Sequence, residues 1–364
     1  MFELIPASIY KTTYLTVLTL LSITIFVKYH FRNGLTNYIP SRNDFPGILL
    51  TILLTIFIGF RPLAAHYFGD MHNYVQFYNI LYEGEKFYFS WDTENFIFDN
   101  LFAWWGSEQL GYTSFFVLIA AIYFSAAYWG ISRLFPDNKL AAYLVFLSAL
   151  STFSYATNGI KAGAATSLFI LALGYRDNLK LCIPLILLSW GFHHSMIMVV
   201  AAFVLTLFVN NPKVYFIGWI FCFICAAAHI SVFAEFFSRF TTEQGANYLL
   251  TEGGNEGTKG GFRIDFILYS SMPVLIGWYA MFKKKLQLSP LYKNLLNLYL
   301  CLNGVWMLCI YANFTNRIAY LSWFMYPIVL IYPFLQEKWG KNKYKIYGIV
   351  MLCHLSFTLF MNIL

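Results

Sequence analysis

Apolar residues come along this chain in long runs rather than narrow stripes, close to the ~17–25 residues that a helix needs to cross hydrocarbon, and short polar connections part them. Lipid offers no partner to backbone N–H and C=O groups, so runs of this length must be helices and are too long for barrel strands. Twelve spans are expected, near residues 12–27, 46–60, 114–131, 140–156, 162–175, 181–193, 195–209, 214–230, 264–282, 294–312, 318–335 and 346–362. The stretch 181–209 is apolar except at His193, His194 and Ser195. As one helix it would be about 43 Å long at ~1.5 Å per residue, against a hydrocarbon core of ~30 Å. Two short helices meeting at the His pair are expected instead. The fold class is therefore all-α: a polytopic integral membrane protein of about twelve transmembrane helices, forming a single transmembrane domain over residues 1–364.

Composition agrees with this pattern. Of 364 residues, 59% are hydrophobic, 21% aromatic and only 11% charged, with a mean hydropathy of +0.59. Soluble domains carry roughly a quarter charged residues, so water-soluble enzymes of any class are excluded. The six cysteines (Cys182, Cys222, Cys225, Cys301, Cys309 and Cys353) all fall in apolar stretches and read as small core residues rather than a disulfide framework. The first apolar run lacks a small-residue cleavage site and reads as a retained span.

Charge sets the expected sidedness. With the break at the His pair, one side receives 16 of the 24 basic residues, Lys283, Lys284 and Lys285 among them, with only Asp44, Asp137, Asp177 and Glu337 against them. That side carries a net +12 and the other −5, within the overall +7. The positive-inside rule makes the basic side cytoplasmic. Net basic charge then reflects topology and calls for no nucleic-acid partner. Two large outer segments remain, at 62–112 and 231–262. The first is acidic and aromatic, and its stretch Phe96 to Trp105 reads as an interfacial helix. The second is Gly-rich around Gly253, Gly254, Gly257, Gly260 and Gly261, and reads as a mobile loop.

Polar residues on the outer side collect at span ends: Arg61 and Asp70, Asn158 and Lys161, His193 and His194, Arg263 and Asp265, Asn316 and Arg317. Cations at helix ends commonly snorkel to the interface. Arg on the side that the positive-inside rule disfavours, however, suggests a compensating use. His66, Asp70 and His72 are spaced irregularly for a metal site, and GTKGG at 257–261 is no phosphate loop. No metal or cofactor is called for. Outward cations, a carboxylate and a His pair beside lipid suit a membrane-embedded diphosphate substrate: cations bind the anion and stabilise the charge that grows as it leaves, while a carboxylate or imidazole deprotonates an attacking hydroxyl. Outer-face aromatics suit headgroup anchoring and stacking on sugar rings.

Five segments carry a resemblance. GFRPLAAHYFGDMHNYVQFY (59–78), NGIKAGAATSLFILALGYR (158–176), GFHHSMIMV (191–199), GGFRIDFILYSSMP (260–273) and NRIAYLSWFMYP (316–327) occur in the order seen in the EpsG-like family of Wzy-type polysaccharide polymerases, which the chain resembles. The resemblance implies a fold similar to GT-C glycosyltransferases and polymerisation of undecaprenyl-diphosphate-linked oligosaccharide repeat units, as in O-antigen or related surface glycans, at the periplasmic face of a bacterial inner membrane. Asp70 matches the acidic residue of the first large outer loop that often serves as base, with His194 and His193 as the other candidates. Arg61, Lys161, Arg263 and Arg317 are expected to bind diphosphate, and Tyr74, Asn158, Asp265 and Asn316 to contact substrate. Lys161 departs from the family, whose motif usually carries Arg there: a cation is kept and the bidentate fork is lost. Membrane lipid, a chain-length regulator and a flippase are the implied partners. A flippase or transporter of the same lipid-linked oligosaccharide and a membrane acyltransferase are the alternative functions.

Overall fold

The computed structural model describes residues 5–31, 43–238, 247, 249–251 and 261–363. Among these residues it is all-helical, without strands. Each of the twelve expected stretches falls on a helix or a broken pair of helices. By length and apolarity five helices qualify as spans, or up to seven if each bent pair counts as one. Phe45–Gly59, Ile160–Gly174, Leu179–Phe192 and Met196–Phe208 are apolar but shorter. Fifteen residues, as in Phe45–Gly59, reach only about 22 Å at ~1.5 Å each. The Gly-rich positions from Gly253 to Gly260 lie outside the described residues.

Two compact units divide the chain, the first made of 1–197 with 342–364 and the second of 198–341. In the first, α1 (Ala7–Phe31), α2 (Phe45–Gly59), α3 (Gly69–Phe77), α4 (Phe96–Ser107), α5 (Tyr112–Leu134), α6 (Lys139–Leu147), α7 (Leu150–Thr157), α8 (Ile160–Gly174) and α9 (Leu179–Phe192) are followed by α10 (Met196–Phe208), which begins at the boundary. The second holds α11 (Pro212–Ala227), α12 (Val232–Ser238), α13 (Ile264–Trp278), α14 (Pro290–Leu308), α15 (Thr315–Trp323) and α16 (Tyr326–Leu335). The C-terminal helix α17 (Lys343–Ile363) returns to the first unit and packs on α1.

Helix α5 is the centre of the first unit, packed against α2 on one side and α8 on the other. Gly130 permits the second contact, since a Cβ there would stand 2.7 Å from the carbonyl of Ile170. Lipid gives little hydrophobic drive between helices, so close backbone approach and interhelical hydrogen bonds carry such contacts. Accordingly the Ser189 hydroxyl donates to Ala165 O at 2.7 Å, joining α9 to α8, and the Tyr347 hydroxyl donates to Ala141 O at 2.9 Å, joining α17 to α6. In the second unit Trp219 Nε1 donates to Asn303 Oδ1 at 2.8 Å, and Asn303 Nδ2 donates to Ser322 Oγ at 3.2 Å. Large apolar side chains meanwhile point outward, such as Leu49, Ile52, Leu53 and Ile56 on α2 and Ile217, Phe221 and Ile224 on α11. Buried polar groups and exposed apolar faces are what a bilayer solvent selects.

Three expectations change. The span at 140–156 is not one rod: α6 and α7 meet at 74°, around Ser148 and Ala149, where the Thr152 hydroxyl takes the Phe146 carbonyl at 2.6 Å and so competes with the helix ladder. The Phe96 to Trp105 stretch is helical, but its apolar side is turned into protein, with Phe98 and Phe102 buried among Phe115, Tyr74 and Tyr78. Cys182, Cys225 and Cys309 are buried, whereas Cys353 is exposed on α17. The break at the His pair is as expected: α9 ends at Phe192, His193 is extended, and α10 starts at Met196.

Residues expected on one side of the membrane are neighbours in the first unit. Lys139 Nζ lies 2.7 Å from Asp44 Oδ1 and 2.8 Å from Oδ2, tying the start of α6 to the start of α2. That bond is the main reason the Asp44 carboxyl is held below the usual carboxylate range. At the other end of α2, Arg61 reaches the end of α7.

Candidate functional site

The helix break creates the site in the first unit. A residue with a β carbon at 191 would meet Ile97 Cγ1 at 2.6 Å and Phe96 Cε1 at 2.9 Å, so Gly191 lets the end of α9 close on the start of α4. The chain turns there, and the amide and ring of His194 both meet Asn95. The backbone N–H of His194 donates to Asn95 Oδ1 at 3.0 Å, and His194 Nδ1 lies 3.3 Å from the same oxygen. The Glu94 carboxylate stands 3.7 Å from Nδ1.

An amide oxygen only accepts, so the Nδ1 of a neutral His194 carries the ring proton and Nε2 keeps its lone pair. His193 has the opposite arrangement. Its Nδ1 accepts the Ser195 N–H at 3.2 Å, which puts the ring proton of its neutral form on Nε2. The two rings stack with centroids 5.1 Å apart and planes 14° apart. The two neighbouring rings thus carry opposite tautomers in their neutral forms.

Behind Asn95 the contacts continue into α4 and α8. Asp99 Oδ2 accepts from the Asn95 backbone N–H at 3.1 Å and from Asn95 Nδ2 at 3.4 Å. That second bond fixes which end of the Asn95 amide faces His194. Asp99 Oδ1 receives Lys161 Nζ at 2.6 Å. Lys161 opens α8 and also lies 5.0 Å from the Phe98 ring centre and 5.9 Å from that of Tyr74. Lys161, Asp99, Asn95 and His194 therefore form one continuous polar chain.

The other expected residues are placed as follows. Asp70, in the first turn of α3, is half-buried, and its carboxylate meets no hydrogen-bond or ion-pair partner among the described residues. Asn158 caps the end of α7, its Oδ1 buried without a partner. Arg61 is buried in protein: it is 2% exposed, with Nη1 donating to Ile58 O and Nη2 to Thr157 O, both at 2.9 Å, and its guanidinium carbon 4.7 Å from the Phe116 ring centre. In the second unit Arg263 and Asp265 do meet. Arg263 Nε donates to Asp265 Oδ1 at 2.9 Å, Nη2 contacts Oδ2, and the guanidinium stacks on Phe266 at 3.5 Å. Arg317 is exposed at the start of α15, 4.9 Å from the ring centre of Phe314, a residue in left-handed conformation (φ 51°), and Asn316 precedes it, half-buried.

Sequence reasoning did not single out Glu94, Asn95 or Asp99. A signal was present: Asn95 and Asp99 are four apart at a helix start, so they lie one turn from each other, directly after Glu94.

A family model matches residues 45–364, a range that takes in all five ordered motifs. The chain belongs to the EpsG family. Membership suggests a polymerase-like membrane protein of polysaccharide biosynthesis. No curated protein and no solved structure matches the chain.

Proposed function

We propose that this EpsG-family protein is a glycosyltransferase that joins undecaprenyl-diphosphate-linked oligosaccharide repeat units at the periplasmic face of a bacterial inner membrane. The growing chain on its lipid diphosphate is the donor, and a sugar hydroxyl of a new lipid-linked repeat is the acceptor. His194 Nε2 takes the proton of that hydroxyl, its oxygen forms the new bond to the anomeric carbon, and the carbon–oxygen bond to phosphate breaks with its electron pair leaving on the lipid diphosphate. A diphosphate leaves as a stable anion, so no nucleotide or other cofactor is needed. His193, stacked on His194, orients the acceptor.

The observation that carries this reading is the opposed hydrogen bonding of the two stacked imidazoles, His194 by Asn95 Oδ1 and His193 by the Ser195 amide. A general base must hold a lone pair toward its substrate, and Asn95 provides for that at His194. Tyr74 packs on Phe98, Phe102 and Phe116 beside Lys161 and Asn158 Oδ1 is buried, so the substrate contacts of both rest on the resemblance. Asp70, which the resemblance favours as base, has no group holding it among the described residues and serves here to bind acceptor hydroxyls. The diphosphate roles of Arg263 and Arg317, and the substrate contacts of Asp265 and Asn316, rest on the resemblance.

Membranes containing the protein, supplied with lipid-diphosphate-linked repeat units, test the reading. Longer lipid-linked chains are the expected product. Lipid moved across the bilayer without new glycosidic bonds makes it a flippase, and incorporation of acyl label makes it an acyltransferase.

A further inference from the structure

A cavity of about 590 Å³ runs between α1 and α2 in the first unit; the Phe116 ring under Arg61, which lines it, packs on Tyr74, beside Lys161 of the polar chain that leads to His194. Its size lies within the ~300–1,000 Å³ usual for small-molecule sites. Its walls are apolar along both helices, with Val17 and Leu18 from α1 and Leu50, Leu53 and Leu54 from α2. From Leu50 to Phe60 the wall extends about 15 Å at ~1.5 Å per residue. The polar lining comes from Arg61, Tyr112 and Thr113 and from Tyr10, Thr13 and Tyr14 in the first two turns of α1, where the Tyr10 ring stacks on Phe57 near the Arg61 end.

Arg61 makes this more than a gap between helices. Its guanidinium is buried, and what it touches is two carbonyl oxygens and a ring face. Nε has no hydrogen-bond partner, and among the described residues no carboxylate balances the charge. A buried cation is costly unless an anion answers it, and ionisable groups at membrane depth usually mark a ligand path. An apolar channel ending at an unanswered cation is complementary to one kind of molecule: a long chain with an anionic head.

We infer that the α1–α2 cavity holds the isoprenoid chain of a polyprenyl diphosphate, its head drawn to the Arg61 end. This rests on the lipid-diphosphate reading above and deepens it by locating a site for the tail. No acid need be displaced, because Arg61 is paired only with neutral groups. The tail's apolar area would replace membrane lipid in a lining that is already desolvated, so selectivity comes from the head through charge-assisted attraction.

The test uses the full-length protein in nanodiscs of phosphatidylethanolamine and phosphatidylglycerol, photolabelled with a polyprenyl diphosphate that carries a diazirine in its chain and no sugar. Label should concentrate on the peptides of α1 and α2 that contain Val17 and Leu53. Unlabelled polyprenyl diphosphate should compete about tenfold better than polyprenol of the same length, the worth of one charge-assisted contact. Val17→Trp and Leu53→Trp should each lower labelling, because these side chains line the cavity yet are 47% and 54% exposed, so added bulk fills the channel without disturbing the core. Arg61→Met should keep labelling and lose the preference for diphosphate over polyprenol. If Arg61→Met fails to fold, the competition experiment on the unaltered protein decides. Label spread evenly over outward-facing helices, or competed equally by phosphatidylglycerol, overturns the inference, the second outcome meaning an ordinary lipid site. Labelling requires no chain growth, so specific label on a protein that makes no glycan would remove the polymerase reading and leave the cavity assignment standing.

Discussion

Asn95→Leu removes the oxygen that both the amide and the ring of His194 face, at 3.0 and 3.3 Å, in a side chain that is only 6% exposed. Leucine is close in size, so the change deletes an acceptor more than it opens a cavity. A net hydrogen bond contributes about 0.5–1.5 kcal/mol, and ~1.4 kcal/mol is tenfold in rate. With the bond gone, the Nε2-protonated tautomer of His194, which has no lone pair to offer the substrate, becomes populated and the ring is free to turn. Chain growth should therefore fall about tenfold, well short of the ~100-fold to 10,000-fold that loss of a general base costs. Asn95→Asp supplies a second measurement that a purely structural role would not move. It keeps an acceptor for Nδ1 and adds negative charge beside the ring, which favours imidazolium and leaves less free base at a given pH. The acidic limb of its pH–rate profile should shift to higher pH. Initial rates of chain lengthening, taken from gels of lipid-linked glycan across a pH series, measure both effects. Unchanged rate in Asn95→Leu together with an unshifted profile in Asn95→Asp would refute the assignment of the His194 tautomer.

Asp70→Asn keeps the side chain's shape and its ability to hydrogen-bond while removing basicity, so chain growth should stay within about tenfold of the original; a dead Asp70→Asn protein at normal expression transfers the base role to the carboxylate. Arg263→Lys and Arg317→Lys preserve charge but lose the planar fork, which at Arg263 holds the Asp265 carboxylate and at Arg317 would pair two hydrogen bonds with phosphate oxygens, and each should lose most polymerisation in the same assay. Normal growth in both makes these arginines interfacial anchors. Gly130→Val places a branched side chain where even a Cβ would be 2.7 Å from the Ile170 carbonyl; overpacking of this kind costs about 1–3 kcal/mol, and the thermal unfolding midpoint of the purified protein should fall. An unchanged midpoint would mean that α5 and α8 do not pack as described.

Helices and their approximate limits were legible because bilayer length and the scarcity of charge mark them directly. The break at His193 to Ser195 was legible for the same reason, since the run around it is too long for one span. The 74° bend between α6 and α7 was not: hydrophobicity records which residues avoid water, and says little about the axis that carries them. Arg61 shows a different limit. Residue type and position suggest a cation with a use beyond topology, but its burial depends on the carbonyl of Thr157, which only the fold brings near. Asp99 was hidden within an aromatic stretch that resembles a headgroup-facing helix, although its partners are the buried Asn95 and the half-buried Lys161. The ion pair of Arg263 and Asp265 was not read, although two residues of separation at a helix start keep the groups within reach.

Replacing His194 by Gln keeps a polar side chain of similar length and removes the lone pair of Nε2 as a usable base. Membranes carrying His194→Gln at normal expression and with an unchanged unfolding midpoint should show a loss of chain growth of about 100-fold to 10,000-fold with lipid-linked repeat units as substrate, while specific labelling by a polyprenyl diphosphate probe is retained. Chain growth near the original rate in that variant would contradict the assignment of His194 as the base that deprotonates the acceptor.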